Sequence, residues 1–316
     1  MIDKKITGDY NEIPEIKFSV CIATYKRPSN LKDLIFSIEK QSMPDGGKIE
    51  IIIVDNDPEG SAKDIVNDIK ESFKVPILYF DQSIKNISLT RNVAVKNANG
   101  DFLLFIDDDE YADSEWVINL YSTLKEYNAD GVFGLVIPEF ENSAPDWIRN
   151  KEFYYSPVDK TGSRARYTYT SNCLIKAKLL KQFDEPFNVN FGLTGGEDAE
   201  LFDRLQKEGA NFITCTDGIV YENITADRAT LSYIFIRFFK GGNSHTWRLI
   251  ERSTFFNKIN LIVSMTVKSL VYGIMSTVLM IFYVFNKKQC VYWLLKLGSN
   301  LGRFSAAVGW HYKGYK

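Results

Sequence analysis

The sequence predicts an α/β fold: a mostly parallel central sheet flanked by helices, followed by a basic, apolar helical extension at the C-terminal end. Three observations carry this reading. Short, nearly continuous apolar runs alternate with amphipathic windows through the first hundred residues, the pattern of buried strands joined by right-handed helical crossovers. Acidic residues stand at the ends of those runs, where ligands gather in open α/β sheets. The charge then changes sign. Residues 1–236 carry 26 Lys or Arg and 39 Asp or Glu, whereas residues 237–316 carry 12 Lys or Arg and one acid, Glu251. A chain of 316 residues, 45% apolar and 25% charged, can bury a substantial core.

The elements follow in order. Phe18 to Thr24 reads as the first strand, and Pro28 opens a helical pattern through Leu31, Leu34, Ile35 and Ile38. Ile49 to Val54 is a second strand, running into Asp55-Asn56-Asp57-Pro58. Ala62 to Phe73 suits a helix, Ile77 to Phe80 a strand, and Asn92 to Asn97 a helix with Arg91 just ahead of it. Phe102 to Ile106 is a strand that ends in Asp107-Asp108-Asp109-Glu110. Val132 to Pro138 and Ser171 to Ile175 are strands on either side of a long irregular segment, residues 139–168. Phe187 to Thr194 reads as a loop. Gly195-Gly196 precedes a helix over Asp198 to Glu208, which Gly209 terminates. Phe212 to Cys215 and Gly218 to Tyr221 are expected as edge strands, and Leu231 to Phe239 as an amphipathic helix ending before Gly241-Gly242.

Two acidic clusters suggest the chemistry. Asp107, Asp108 and Asp109 repel one another when all are ionised, so a counterion is expected at that strand end. A hard divalent ion, Mg²⁺ or Mn²⁺, takes oxygen ligands and bridges carboxylate to diphosphate. Asp109 is the best direct ligand, and Asp107 suits a ribose or a metal-bound water. Asp55, after its strand, can accept from a nucleobase imide N–H, with Asp57 beside it; turn and capping chemistry is the plainer reading of both. Arg91 can pair with phosphate oxygens. Asp198 can take a proton from an acceptor hydroxyl as that oxygen attacks an anomeric carbon, or Glu197 can; helix capping is their plain alternative. Arg228 and Arg237 can meet phosphate on a donor or on a lipid acceptor. Together the clusters point to sugar transfer from an activated nucleotide donor.

The tail points to a membrane. Leu261 to Phe285 is the longest apolar stretch, interrupted only by Lys268, and a second apolar patch runs from Cys290 to Leu297. A spanning helix needs about 20 apolar residues, so a span and an interfacial helix are both open. Cationic side chains beside apolar ones suit an anionic membrane surface, and nucleic acid offers no partner for the apolar face. The first residues show no apolar signal region, so a cytoplasmic catalytic part is expected. The cysteines at 21, 173, 215 and 290 form no close pair, which argues against a disulfide framework or a thiolate zinc site.

Over roughly residues 17–240 the chain resembles the family 2 glycosyltransferases, an inverting family with the GT-A fold. Ser19 to Pro28 is similar to that family's first strand and loop, which implies nucleotide contacts from Thr24, Tyr25 and Arg27. Val54-Asp55-Asn56-Asp57 resembles its acidic turn, Arg91-Asn92 its arginine–asparagine motif, and Asp107-Asp108-Asp109 its metal motif. Asn172, Phe183-Asp184-Glu185 and Gly196-Glu197-Asp198 follow in the same order. The resemblance implies Asp198 as the base, Asp108 and its neighbours in donor binding, and a nucleotide-sugar donor, commonly a UDP-sugar in that family although GDP and dTDP donors also occur. Val220-Tyr221-Glu222 with Arg228 and Arg237 is similar to the bacterial branch that builds capsules, exopolysaccharides and O-antigens. The chain departs from the pattern where that family often carries a His near Tyr221 or Glu222, and it has no Gln-x-x-Arg-Trp after Asp198. Addition of one sugar is therefore expected rather than polymerisation.

These readings give a GT-A catalytic domain over 1–240 and a membrane-associating helical region over 241–316. The expected partners are a nucleotide-sugar, a polyprenyl-diphosphate-linked glycan and the cytoplasmic face of the plasma membrane. A soluble transferase, a nucleotidyltransferase and a non-catalytic sugar-nucleotide sensor are the alternatives.

Overall fold

The computed structural model describes residues 14–149, 154 and 159–314. The first half runs β1 (Ile16–Thr24), α1 (Pro28–Glu39), β2 (Gly47–Asp55), α2 (Lys63–Lys70), β3 (Ile77–Asp81), α3 (Ile87–Asn97), β4 (Phe102–Ile106), β5 (Glu110–Ala112) and α4 (Trp116–Glu126). It continues with β6 (Gly131–Phe140), α5 (Asp146–Arg149), β7 (Asn172–Lys176), α6 (Ala177–Lys181), α7 (Glu197–Lys207) and β8 (Phe212–Ile224). Three long helices close the chain: α8 (Leu231–Glu251), α9 (Phe255–Phe282) and α10 (Lys287–Ala307).

One eight-stranded sheet has the order β3-β2-β1-β4-β7-β6-β8-β5. β3, β2, β1 and β4 are mutually parallel, as is the pair β6 and β8. β7 is antiparallel to both its neighbours, and β5 is antiparallel to β8. Successive residues serve opposite layers. Ile22 and Ile53 pack with α1 and α2 residues such as Leu34 and Val66, whereas Cys21 and Ile52 pack with α3 and α7 residues such as Ala94 and Leu201. Both faces are covered, which is why the strands read as unbroken apolar runs.

β1 pairs with β2 on one side and β4 on the other, so the chain reverses its direction of travel across the sheet at this point. Ligands gather beyond the carboxyl ends of the strands at such a switch point; the β1–β4 pairing ends at Cys21 and Phe105. Thr24 ends β1 and Asp107 follows β4.

Several elements differ from the sequence expectation. α3 begins at Ile87 because the Asn86 side chain caps it, accepting from the Leu89 amide at 3.1 Å; Arg91 therefore lies inside the helix. α4 and α6 were not anticipated. The two expected edge strands are one 13-residue strand, β8, flanked by β6 and β5. The irregular segment 139–168 lies partly outside the described residues, and its described part includes the end of β6 and the short α5.

The largest difference is α8, which continues through Gly241-Gly242. A Cβ on Gly242 would sit 2.1 Å from the Ser299 carbonyl oxygen of α10, and one on Gly302 would sit 2.0 Å from the Phe239 oxygen. The glycines are there for close helix approach, and that packing outweighs their poor helix propensity. The boundary expected at 240/241 thus falls within a helix. α9 has 28 residues, about 42 Å at the standard rise. It packs on α10, but Phe255, Ile274 and Phe282 are each about two-thirds exposed or more. Among the described residues it is the one helix long and apolar enough to cross a membrane.

Candidate active site

The turn after β4 is closed by the Glu110 amide donating to the Asp107 carbonyl at 3.2 Å and the Asp107 amide donating to Glu110 Oε2 at 2.9 Å. This turn splits the three aspartates into three environments. Asp108 points back into the protein: its Oδ2 accepts from Thr24 Oγ1 at 2.9 Å and from the Tyr25 amide at 3.3 Å. Its Oδ1 accepts from Arg27 Nη1 at 2.8 Å. Asp108 therefore clamps the loop after β1.

Asp109 Oδ2 accepts from Arg27 Nη1 at 3.0 Å and from Arg228 Nη1 at 2.7 Å. Arg228 also reaches Glu222 Oε1 at 2.6 Å and Tyr233 Oη at 2.9 Å. Asp107 faces the cavity and accepts from Arg91 Nη2 at 3.3 Å. The other Arg91 arm makes a close ion pair with Glu197. One guanidinium thus joins the two acidic clusters that lie ninety residues apart in sequence.

Gly195 and Gly196 enter α7 with φ of 78° and 94°, a left-handed conformation that glycine adopts without strain. They set Glu197 and Asp198 at the first turn of α7, both against the cavity. The Ser244 hydroxyl of α8 donates to the Gly195 carbonyl at 2.9 Å and holds this turn in place.

The cavity has a volume of about 950 Å³. Thr24, Tyr25, Arg27 and Arg91 form one side of it, with Asp107, Asp108 and Asp109 at the strand ends. The described lining holds seven carboxyl groups and five Arg or Lys side chains. Burial lifts the Asp107 carboxyl to about 6 despite Arg91, with Asp109, Asp108 and Asp198 adding repulsion. Burial likewise lifts Glu197 to about 7, against Arg91 and with Asp198. Glu197 Oε2 is buried without a hydrogen-bond partner among the described residues.

A divalent cation fits this donor set. The carboxylates outnumber the cations, and Asp109 Oδ1 accepts no hydrogen bond among the described residues. Yet no three Asp, Glu, His or Cys side chains converge into a cage among those residues. The protein would supply one or two oxygens, and a bound diphosphate the rest.

Asp55 and Asp57 do not line the cavity. Asp55 is fully buried: its Oδ1 accepts from the Asp57 amide at 2.9 Å, and its Oδ2 from the Ala62 amide at 2.8 Å and Tyr79 Oη at 3.0 Å. Turn chemistry, the plainer expectation, describes it. Asp57 is buried as well, with Lys26 Nζ 3.9 Å away. The sequence does not mark a further part of the cavity wall. That part includes Tyr154, Tyr169, Tyr233, Lys240 and Tyr312. These residues are scattered through an irregular segment, one helix and the chain end, so no local pattern links them.

The family model for glycosyl transferase family 2 matches residues 19–184. The succinoglycan biosynthesis protein ExoM of Rhizobium meliloti is 32% identical over 244 residues, which cover 77% of this chain and 78% of that protein. The poly(ribitol-phosphate) beta-N-acetylglucosaminyltransferase TarS of Staphylococcus aureus is 27% identical over 215 residues. That match covers 65% of this chain but 35% of TarS. A crystal structure of TarS 1–349 in complex with UDP aligns over 94% of this chain and 93% of that one, with a TM-score of 0.53 and 19% identity. A Campylobacter jejuni enzyme named GalNAc(5)-diNAcBac-PP-undecaprenol beta-1,3-glucosyltransferase is 27% identical over 210 residues, 62% of each chain.

Proposed function

Because this chain belongs to glycosyl transferase family 2, and is thus a glycosyltransferase, we propose that it moves one sugar, with inversion, from a UDP-sugar to a hydroxyl of a polyprenyl-diphosphate-linked glycan during surface-polysaccharide synthesis. The observation that carries this reading is the Arg91 bridge. It brings the aspartate turn after β4 and the acidic start of α7 to one cavity at the switch point of the sheet. Relatives named for succinoglycan synthesis and for a diphosphoundecaprenol acceptor support the substrate class.

Each group then has a task. The nucleotide lies along Thr24, Tyr25 and Arg27, with Lys85 Nζ 4.9 Å over the Tyr25 ring behind them. Asp55, buried off the cavity lining, serves in this reading to shape the loop after β2 through the Asp57 and Ala62 amides. Arg91, Arg27 and Arg228 offer guanidinium donors to the diphosphate. Asp109, with Asp107, would hold Mg²⁺ or Mn²⁺, which supplies charge neutralisation for the departing diphosphate. Asp198 takes the proton of the acceptor hydroxyl. The acceptor oxygen forms its bond to the anomeric carbon as the bond from that carbon to the diphosphate oxygen breaks. Glu197 is committed to Arg91, so Asp198 is the better base. The competing assignment, Glu197 as the base, draws on its elevated proton affinity and its unpaired Oε2.

The exposed apolar side chains of α9 support a position on the membrane in this reading, with anionic lipid as the partner of the basic tail. The decisive experiment is a screen of nucleotide-sugars against a lipid-linked acceptor extract, reading product mass and anomeric configuration. A product of one added sugar with inverted configuration is expected. Retention of configuration, or transfer only to water-soluble acceptors, overturns the reading.

A further inference from the structure

Asp109, the acid best placed to hold a cation, is already answered by the chain's own cations. Its Oδ2 accepts from Arg228 Nη1 at 2.7 Å and from Arg27 Nη1 at 3.0 Å. The two guanidinium groups are tethered differently. The same Arg27 nitrogen donates to Asp108 Oδ1 at 2.8 Å, so Arg27 belongs to the clamp on the loop after β1. Arg228 comes from the short connection between β8 and α8. Its Nη2 donates to Glu222 Oε1 at 2.6 Å, and its Nε donates to Tyr233 Oη at 2.9 Å. Rotation along this long side chain moves Nη1 off Asp109 with Glu222 still at hand to balance the charge.

The side chains of Arg228, Asp109 and Glu222 are all largely buried. Away from water, charges are poorly screened, so a carboxylate compensated by two guanidinium groups attracts a further cation weakly, and those groups repel it. Burial disfavours the Arg228 charge, yet Glu222 and Asp109 outweigh it and hold the guanidinium protonated. The neighbouring acids offer no replacement. Asp108 is turned toward Thr24 and the Tyr25 amide, and no three Asp, Glu, His or Cys side chains converge among the described residues. A cation at Asp109 therefore gains most if Arg228 is first drawn away. Arg228 lines the same cavity as Asp109, and a diphosphate there can draw it, because phosphate oxygens accept from a guanidinium in bidentate fashion.

We propose that Arg228 gates the cation site: it covers Asp109 until a nucleoside diphosphate draws its guanidinium onto the phosphates, so that Asp109 opens to a divalent cation only in the nucleotide complex. The proposal rests on the donor and metal roles read above and adds the order in which the site is filled. When the nucleotide leaves, Arg228 returns to Asp109 and weakens its hold on the cation. Linkage makes the effect reciprocal: if the diphosphate strengthens cation binding, the cation strengthens diphosphate binding by the same factor. A gate differs from fixed repulsion in one respect. A fixed guanidinium opposes the cation equally with and without nucleotide, whereas a gate opposes it only without.

Full-length protein in detergent micelles is titrated with Mn²⁺ alone, with saturating UMP and with saturating UDP, and bound Mn²⁺ is read by electron paramagnetic resonance. The wild type is expected to bind Mn²⁺ about 10- to 100-fold more tightly with UDP, the usual size of a coupling between two ligands. UMP, which lacks the second phosphate, should tighten it no more than about threefold. Arg228→Gln should tighten Mn²⁺ alone by about tenfold and leave the UDP complex within about threefold, so that the coupling shrinks. Adding Asp109→Asn should erase that gain, and Arg228→Lys, which keeps the charge, should stay nearer the wild type than Arg228→Gln does. An equal gain with and without UDP makes Arg228 a fixed charge and overturns the gate, as does unchanged Mn²⁺ affinity in Arg228→Gln. The wild type also tests it without any variant: equal Mn²⁺ affinity with and without UDP overturns the gate. Failure of the underlying reading looks different and takes the gate with it: a wild type that binds UDP but no Mn²⁺ in the UDP complex, or one that binds no UDP.

Discussion

Asp198 and Glu197 are adjacent in sequence yet held differently, and the proposed choice of base rests on that difference. Glu197 is locked to Arg91, while Asp198 lines the same cavity and accepts from the Ala199 amide at 2.6 Å. Asp198→Asn is expected to lower kcat by about 10²–10⁴, the usual worth of a general base, with donor affinity retained. Steady-state kinetics and nucleotide titration check this, and near-normal turnover in a folded variant would transfer the role to Glu197. The pH dependence of stability follows from Glu197. Its carboxyl is raised from 4.5 to about 7, so between these values the folded chain holds a proton that the unfolded chain has lost. Stability from this group is therefore present at low pH and declines as pH rises through about 7. The ligand-free protein should show a lower Tm at pH 8 than at pH 5.5, and Glu197→Gln should flatten that slope. An identical slope in the variant would remove Glu197 from the account.

Elements succeed or fail on how closely they pack. α8 and α10 touch backbone to backbone at Gly242 and Gly302. Gly242→Ala should therefore cost about 1–3 kcal/mol, the range for overpacking a filled interface, although alanine is the better helix former. Thermal unfolding measures this, and a raised Tm would show that the helices can separate freely. Because Ser244 and Arg237 sit on this same helix, the variant should also weaken transfer. α9 makes the opposite case, since its exposed side has no protein to pack against. Ile274→Lys with Val278→Lys should leave the fold intact and reduce flotation with vesicles; unchanged flotation would place the membrane contact elsewhere.

At the scale of the whole molecule, charge and apolar surface are segregated together. The first 236 residues carry a formal balance of −13 and the remainder +11. If the protein acts at a membrane as proposed, this asymmetry would turn its basic end toward an anionic bilayer. Vesicle binding should rise with the anionic lipid fraction. About 1 M salt, where the screening length is about 3 Å, should release only part of the protein because the apolar face of α9 is insensitive to screening. Complete release on salt would mean that attachment is electrostatic alone. α8 builds part of the cavity wall and is followed directly by α9. Residues 240 and 241 lie inside α8, which lines the cavity on both sides of that point.

Much of the fold was legible because β1, β2 and β4 are buried on both faces and announce themselves as apolar runs, with acids where the strands end. The acidic clusters and the apolar length of α9 were legible for the same reason: each is a local property of a contiguous stretch. What lay beyond local pattern was decided by packing. Asp107, Asp108 and Asp109 look equivalent in sequence, but one turn sends Asp108 inward to Thr24, Asp109 to Arg228 and Asp107 to Arg91. Asp55 stands at a strand end like the other acids, but is fully buried against the Asp57 and Ala62 amides and the Tyr79 hydroxyl. Gly241-Gly242 looked like a helix stop and is a contact point. The sequence by itself determined which stretches become strands and where charge collects, since burial and periodicity act over a few residues. Only the tertiary structure decided which carboxylates face the cavity and which cations answer them, because those pairings join residues up to 119 positions apart and depend on the sheet order that brings them together.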